Sequence, residues 1–206
     1  MSWGDKKAID FAVKALLDGK VGIGDTDTVP GLFAACTALG VAQLNAIKGR
    51  SDKPYLVLLG SRDALSSFIK QPNSIQIEKL MENFWPGPLT LVLEAQEDIP
   101  SYLQSRQGGI AIRIPERPWI RELAIGCGGV LSTSANLGGK PTPEILEEVD
   151  PQIAQMASFI LCDDGEKHHN KPSTILDVTG NQIRVIREGA ISIKELEALM
   201  GVPFIR

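Results

Sequence analysis

The stretch Val41-Ala42-Gln43-Leu44-Asn45-Ala46-Ile47-Lys48-Gly49-Arg50-Ser51-Asp52-Lys53-Pro54-Tyr55-Leu56-Val57-Leu58-Leu59 decides the fold class. Val41, Leu44 and Ile47 share one helical face, and Gly49 stops the helix after Lys48. Tyr55 to Leu59 is then apolar without alternation, the pattern of a strand buried on both faces of its sheet. Such a strand needs helices above and below it. Between helix and strand lie Lys48, Arg50 and Lys53. Cations there either complement the helix C-terminus or clamp an anion, and spacing alone leaves both open.

Outward from this unit the pattern repeats. Asp5 to Asp18 reads as an amphipathic helix through Ile9, Val13 and Leu16, with Gly19 as its stop, and Val21 to Gly24 as a short strand. Helices are predicted near Arg62 to Ile69, Ile75 to Phe84 and Pro118 to Ile125. Strands are predicted at Leu89 to Leu93, Ile110 to Ile114 and Val130 to Ser132. Thr142-Pro143-Glu144 reads as a helix start, a hydroxyl cap with proline at the first position. Ser158 to Cys162, Thr174 to Val178 and Ile183 to Arg187 are strands, the last two joined through Thr179-Gly180-Asn181. Ser192-Ile193-Lys194-Glu195 is a capping box opening a final helix that Gly201 closes. Strands alternating with helices, plus a late hairpin, give an α/β class: one domain over residues 1–206, a mixed twisted sheet with flanking helices.

The 206 residues are 43% hydrophobic and 22% charged, an ordinary globular balance. No window approaches a spanning helix, and the N-terminus carries no basic stretch followed by an apolar run, so the expected location is cytoplasmic, with no membrane contact. Cys36, Cys127 and Cys162 are three in number and far apart. They read as small buried hydrophobes in a reducing compartment. A net charge of −4 opposes a mainly electrostatic RNA or DNA binder.

Several familiar motifs are missing. Gly22-Ile23-Gly24 begins like a dinucleotide fingerprint, but Asp27 stands at its third glycine, and no P-loop occurs. No paired Cys/His spacing suggests a metal, and His168-His169 beside Asp163 and Asp164 reads as a solvated loop. Four segments at the ends of elements remain. Asp25 to Leu32 follows the first strand, and Lys48 to Pro54 follows a helix. Ser132-Thr133-Ser134-Ala135-Asn136 with Gly138-Gly139 is either a polar turn or a phosphate cradle of free amides. Lys171 to Thr174 leads one strand, and Arg187-Glu188-Gly189 ends the next. Together they bring hydroxyls, amides and cations to strand ends, where open α/β sheets place ligands.

The combination T-D-T-V-x-G-L, K-G-R-x-x-K-P, W-P-G-P-L-T, A-I-R-I-P, S-T-S-A-N-x-G-G, P-S-T-I-L-D and R-E-G resembles the YrdC/Sua5 family, the threonylcarbamoyl-AMP synthases, in family order from Gly19 to about Ile191. The resemblance implies a YrdC-like fold with a concave, positively lined cavity. It also implies a reaction of L-threonine, bicarbonate and ATP, with Mg²⁺ carried in on ATP, giving threonylcarbamoyl-AMP and pyrophosphate. The product would pass to a threonylcarbamoyltransferase complex for the t6A modification of tRNA. By similarity Lys48, Arg50, Lys53, Ser134, Asn136, Thr142 and Arg187 would contact ATP. Thr28, Arg113, Thr133 and Ser173 would hold threonine, Arg113 taking its carboxylate. No separate catalytic residue and no protein metal ligand is implied.

The sequence departs from the family pattern in places. Asp25 replaces the usual proline before T-D-T, Pro30 replaces an aromatic residue, and the segment after Arg50 is one residue short. Residues 164–169 replace a glycine-rich lead. These changes suit a YciO-type paralogue of altered activity as the alternative. A double-stranded-RNA-binding module is the alternative from a different class. Ending at Arg206, the chain resembles the short form of the family.

Overall fold

The computed structural model describes residues 6–49, 54–71, 74–162 and 171–206. Its helices are α1 (Lys6–Leu17), α2 (Ala38–Lys48), α3 (Ile75–Phe84), α4 (Pro118–Cys127), α5 (Pro151–Met156) and α6 (Ile193–Met200). The strands are β1 (Gly22–Gly24), β2 (Gly31–Ala35), β3 (Leu56–Leu58), β4 (Leu89–Glu94), β5 (Gly109–Arg113), β6 (Val130–Ser134), β7 (Phe159–Leu161), β8 (Thr174–Asp177) and β9 (Arg184–Arg187). They form one nine-stranded sheet in the order β7-β1-β2-β6-β3-β5-β4-β8-β9. It is mixed: β1/β7, β3/β5 and β4/β8 run parallel, while the other neighbours, including the predicted hairpin β8/β9, run antiparallel.

Two cores lie on the two faces of this sheet. Leu32 and Ala34 of β2, with Val57 of β3, pack with Leu44 and Ile47 of α2, Leu80 and Met81 of α3 and Leu196 of α6. Phe33 and Ala35 of β2, with Leu58 of β3, turn to the other face and meet α1 and α4. Side chains alternate across a strand, so a strand covered on both sides must be apolar throughout. The unbroken run Tyr55 to Leu59 has this cause.

The second core takes nothing from β4, β5, β8 or β9. Helices α1 and α4 cover one half of that face, and the other half is left for a cavity. Register puts the functional side chains there. Arg113 pairs with Leu58, Ser132 with Phe33, and Ile175 with both Thr90 and Arg187.

Some elements differ from the sequence expectation. Leu32-Phe33-Ala34-Ala35 is a central strand, β2, where only a turn was expected before it. The Val130 to Ser132 strand continues to Ser134. The helix expected near Arg62 to Ile69 is a 3₁₀ helix, Arg62–Ser67. No helix starts at Thr142; α5 begins at Pro151, where the Asp150 side chain accepts the Gln152 N–H. The two starts share their chemistry, but Ile153 behind Asp150 is fully buried and Ile145 behind Thr142 is 44% exposed. Burial decides between them.

Gly22 and Gly24 bind no dinucleotide loop. A Cβ on Gly22 would lie 2.0 Å from the Phe159 ring, and one on Gly24 2.6 Å from Trp119. The glycines let both rings approach β1 closely. Near the cavity, Gly189 meets Pro172 in the same way: a Cβ would lie 2.1 Å from the Pro172 carbonyl oxygen. Here the obstacle is backbone. Gly189→Ala is therefore expected to destabilise the protein by about 2 kcal/mol or more, read as a lowered thermal midpoint. An unchanged midpoint would contradict this packing.

Candidate functional site

The open half-face holds a cavity of about 260 Å³. Its walls come from the segment after β1, the C-terminal ends of β5, β6 and β9, and the lead into β8.

Arg113 is the most constrained group in it. Its Nη1 donates to both oxygens of Asp27, each at 2.9 Å, and Asp27 Oδ2 also accepts the Glu116 N–H at 3.2 Å. The side chains are 3% and 2% exposed. A buried ion pair is tolerated only when its geometry and remaining hydrogen bonds are good. Arg113 Nε is buried with no hydrogen-bond partner among the described residues. Arg113 lines the cavity, where a guanidinium suits an anionic acceptor.

Arg187 stands on the same wall. Its Nε and Nη2 donate to the Ser173 carbonyl at 3.1 and 2.8 Å, and Nη2 also reaches Ser173 Oγ at 3.2 Å. Burial, and then the like charge of Arg113, lower the Arg187 guanidinium below its ordinary value. Two guanidiniums lining one cavity favour an anionic ligand, which would offset their repulsion. Ser173 Oγ is braced from below by Thr90 Oγ1 at 2.8 Å, and Thr90 is fully buried. Thr174 Oγ1 accepts from the Gly189 and Ile191 amides and donates to the Ile191 carbonyl, so P-S-T and R-E-G are tied together.

Thr26 fixes the polarity of Thr28. Its Oγ1 donates to the Val29 carbonyl at 2.8 Å and accepts the Thr28 N–H at 2.9 Å. A hydroxyl carries one proton, so in the 2.9 Å contact between the two hydroxyls Thr28 must be the donor. What remains of the Thr28 hydroxyl toward the cavity is lone pairs, suited to a ligand N–H or O–H.

The S-T-S-A-N turn is closed from within. The amides of Ala135, Asn136 and Gly138 donate to the carbonyls of Pro30, Ser134 and Lys48. The expectation of free amides cradling phosphate fails at these three positions. Lys48 is also elsewhere than expected. Its side chain is buried, and Nζ donates to Ser134 O, Asn136 O and Asn136 Oδ1 at 2.9, 2.6 and 2.7 Å. Three acceptors of the turn lie within hydrogen-bond reach of the ammonium. Lys48 therefore ties the α2 end to the turn, and it is not among the residues that line the cavity. The reason is the docking of the α2 end against the turn, with Gly138 N bonded to Lys48 O.

Of the expected site residues, Thr28, Arg113, Thr133, Ser134, Thr142, Ser173 and Arg187 line the cavity together. Asn136 does not; it lines an adjoining hollow that shares Thr142. Its Oδ1 accepts from Ser134 Oγ at 2.6 Å and its Nδ2 donates to Lys140 O at 2.5 Å. Arg50 and Lys53 lie outside the described residues, as do Asp163, Asp164, His168 and His169. Asp27, Thr26 and Thr90 were missed as supports. Each sits inside a quoted motif, and only the fold shows which neighbour it holds.

Cys36 and Cys127 are half-buried, and Cys162 is exposed, against the expectation of burial. Burial pushes Cys36 up to about 12 and Cys127 up to about 11, which keeps both thiols protonated at neutral pH. Among the described residues no group of three or more His, Cys, Asp or Glu is placed to hold a metal ion. No described helix is long and apolar enough to cross a membrane.

Residues 14–189 match the Sua5/YciO/YrdC family, described as "Telomere recombination". The chain belongs to this family. A Methanocaldococcus jannaschii member, provisionally named threonylcarbamoyl-AMP synthase, is 34% identical over 193 residues, 93% of this chain and 90% of its own length. The Vibrio vulnificus threonylcarbamoyl-AMP synthase is 32% identical over 185 residues, 86% of this chain and 96% of its own. The crystal structure of Pyrococcus abyssi Sua5 complexed with L-threonine superposes with a TM-score of 0.90 at 29% identity. It aligns with 98% of this chain, which spans 60% of the longer Sua5 chain. Membership in this family brings the YrdC fold, the mixed sheet with flanking helices described above.

Proposed function

We propose that the chain is a threonylcarbamoyl-AMP synthase that joins L-threonine, bicarbonate and ATP for the t6A modification of tRNA. The observation that carries this reading is the pair Arg113 and Arg187 lining one cavity together with Thr28 and Ser173. A chain of this family with such a wall suits a small amino acid whose carboxylate completes the Arg113 hydrogen bonds. Thr28 then offers lone pairs to the amine or hydroxyl of threonine, and Ser173, braced by Thr90, closes the same side.

The chemistry asks little of side chains as acids or bases. The threonine nitrogen bonds to the bicarbonate carbon with loss of water, giving a carbamate. A carbamate oxygen then bonds to the α-phosphorus of ATP, the bond from that phosphorus to the bridging oxygen breaks, and pyrophosphate leaves. Two anions have to meet, so fixed positive charge and alignment provide the acceleration. Arg187 serves both, as a cation in the cavity that Ser134 and Thr142 also line. Arg50 and Lys53 are proposed to reach the triphosphate, and Mg²⁺ to arrive on ATP as part of the substrate. The released threonylcarbamoyl-AMP would pass to a threonylcarbamoyltransferase complex.

Incubation with ¹³C-bicarbonate, threonine and MgATP, followed by mass spectrometry, tests this directly. The expected product is threonylcarbamoyl-AMP carrying one ¹³C; an adenylylated threonine without the label would overturn the carbamate step.

A further inference from the structure

We infer that Ile175 is a specificity-determining residue: its side chain receives the γ-methyl group of threonine and so separates threonine from serine. This rests on the proposed function, since it names what the same cavity measures in its amino acid. Register carries it first. Ile175 pairs with Thr90 on one side and Arg187 on the other. One step along the β4/β5 ladder from the pair Leu91–Ile112 sets Thr90 beside Arg113. Arg113, Thr90, Ile175 and Arg187 therefore form one row across four adjacent strands. The β8/β9 ladder shifts between the pairs Leu176–Val185 and Ile175–Arg187, which leaves Val185 in the first core and Arg187 at the cavity. Neighbouring strands lie about 4.8 Å apart, so the two arginines start about 14 Å from each other with Ile175 between them.

Burial carries it second. Leu176, next along β8, is fully buried in the first core, and alternation turns Ile175 to the opposite face. There Ile175 is half-buried and lines the cavity, and among the described residues it joins neither core. The fold gains little from a β-branched apolar side chain that stands outside both cores, among Thr28, Arg113, Ser173 and Arg187. Its surface suits an apolar group on the ligand. Threonine has one such group. Its carboxylate, amine and hydroxyl are shared with serine, and the methyl is the whole difference between the two. Ser173 precedes Ile175 by two residues and lines the same cavity, a step of about 7 Å along the chain. An amino acid held at Arg113 and Ser173 thus has Ile175 within reach of its side chain, and the methyl leaves water on that contact.

The test is a ratio, which a merely structural role would not move. Pyrophosphate release from MgATP and bicarbonate is measured with L-threonine and with L-serine, as kcat/KM for each. The wild type is expected to favour threonine by at least about tenfold, the discrimination an apolar pocket gives for one methyl group. Ile175→Ala is expected to lower that ratio by at least about fivefold, since serine has no methyl to lose the contact. Ile175→Val, which keeps the branch at Cβ, is expected to fall between the two. Equal losses for both amino acids in Ile175→Ala, or a wild type that uses both equally well, would overturn the role of Ile175 alone. A wild type that releases no pyrophosphate with threonine would overturn the proposed function along with it. Should Ile175→Ala fail to fold, wild type carrying ¹³C-labelled isoleucine δ1-methyl groups decides instead. With saturating L-threonine, a nuclear Overhauser contact is expected between the ligand methyl and the Ile175 δ1-methyl; bound threonine without that contact contradicts the inference.

Discussion

Arg113→Lys is expected to weaken L-threonine binding by roughly ten- to a hundredfold while leaving the protein folded. Lysine keeps a positive charge against Asp27, so the buried carboxylate stays paired. What it loses is the planar fork that can meet both oxygens of a carboxylate. A hydrogen bond to a charged group contributes about 1.5–3 kcal/mol, and each 1.4 kcal/mol is a factor of ten. ATP affinity should change by less than about threefold, because the losses fall on the threonine side. Calorimetric titration with each substrate separates the two. Equal weakening for both would mean that Arg113 supports the cavity as a whole. Arg113→Ala is the poorer variant, since removing one member of a buried pair costs about 3–5 kcal/mol through the charge left behind.

Lys48→Met is expected to cost stability first and activity as a consequence. Methionine fills the same buried path but leaves Asn136 O without its donor, while Ser134 O keeps the Asn136 amide and Asn136 Oδ1 keeps the Ser134 hydroxyl. An acceptor without a partner costs about 1–3 kcal/mol, softened where water can enter the adjoining hollow. A net loss near 2 kcal/mol corresponds to a drop of roughly 4–8 °C in thermal midpoint for a protein of this size. Ligand affinity should fall as well, because Ser134 and Thr142 line the cavity from either side of the turn that Lys48 holds. A phosphate contact in solvent would behave in the opposite way, with an unchanged midpoint and a loss confined to ATP. A thermal melt of the ligand-free variant distinguishes the two.

These two residues also mark how far the sequence could be read. Arg113 was legible through the A-I-R-I-P motif that carries the family resemblance. Its partner was not legible. Asp27 lies 86 positions away in sequence, and the two are joined by the fold. The bonds of Lys48 to the turn were not legible for a related reason. Its segment holds Arg50 and Lys53 as well, and spacing treats the three cations alike. Only the docking of α2 against the S-T-S-A-N turn shows that Lys48 points inward.

The sheet was legible where runs were long or alternated sharply, as at Tyr55 to Leu59 and Leu89 to Leu93. It was not legible at β2, whose Gly-Leu-Phe-Ala-Ala has little β-branching and follows a turn-rich stretch. Central placement between β1 and β6 makes that segment a strand. The helix expected at Thr142 shows the converse: a good cap without an apolar face behind it starts nothing.

Pyrophosphate release from MgATP, measured with all three substrates and again with L-threonine or bicarbonate left out, tests the central claim most directly. Release is expected only in the complete mixture, falling to background when either is omitted. Release that continues without threonine would contradict it.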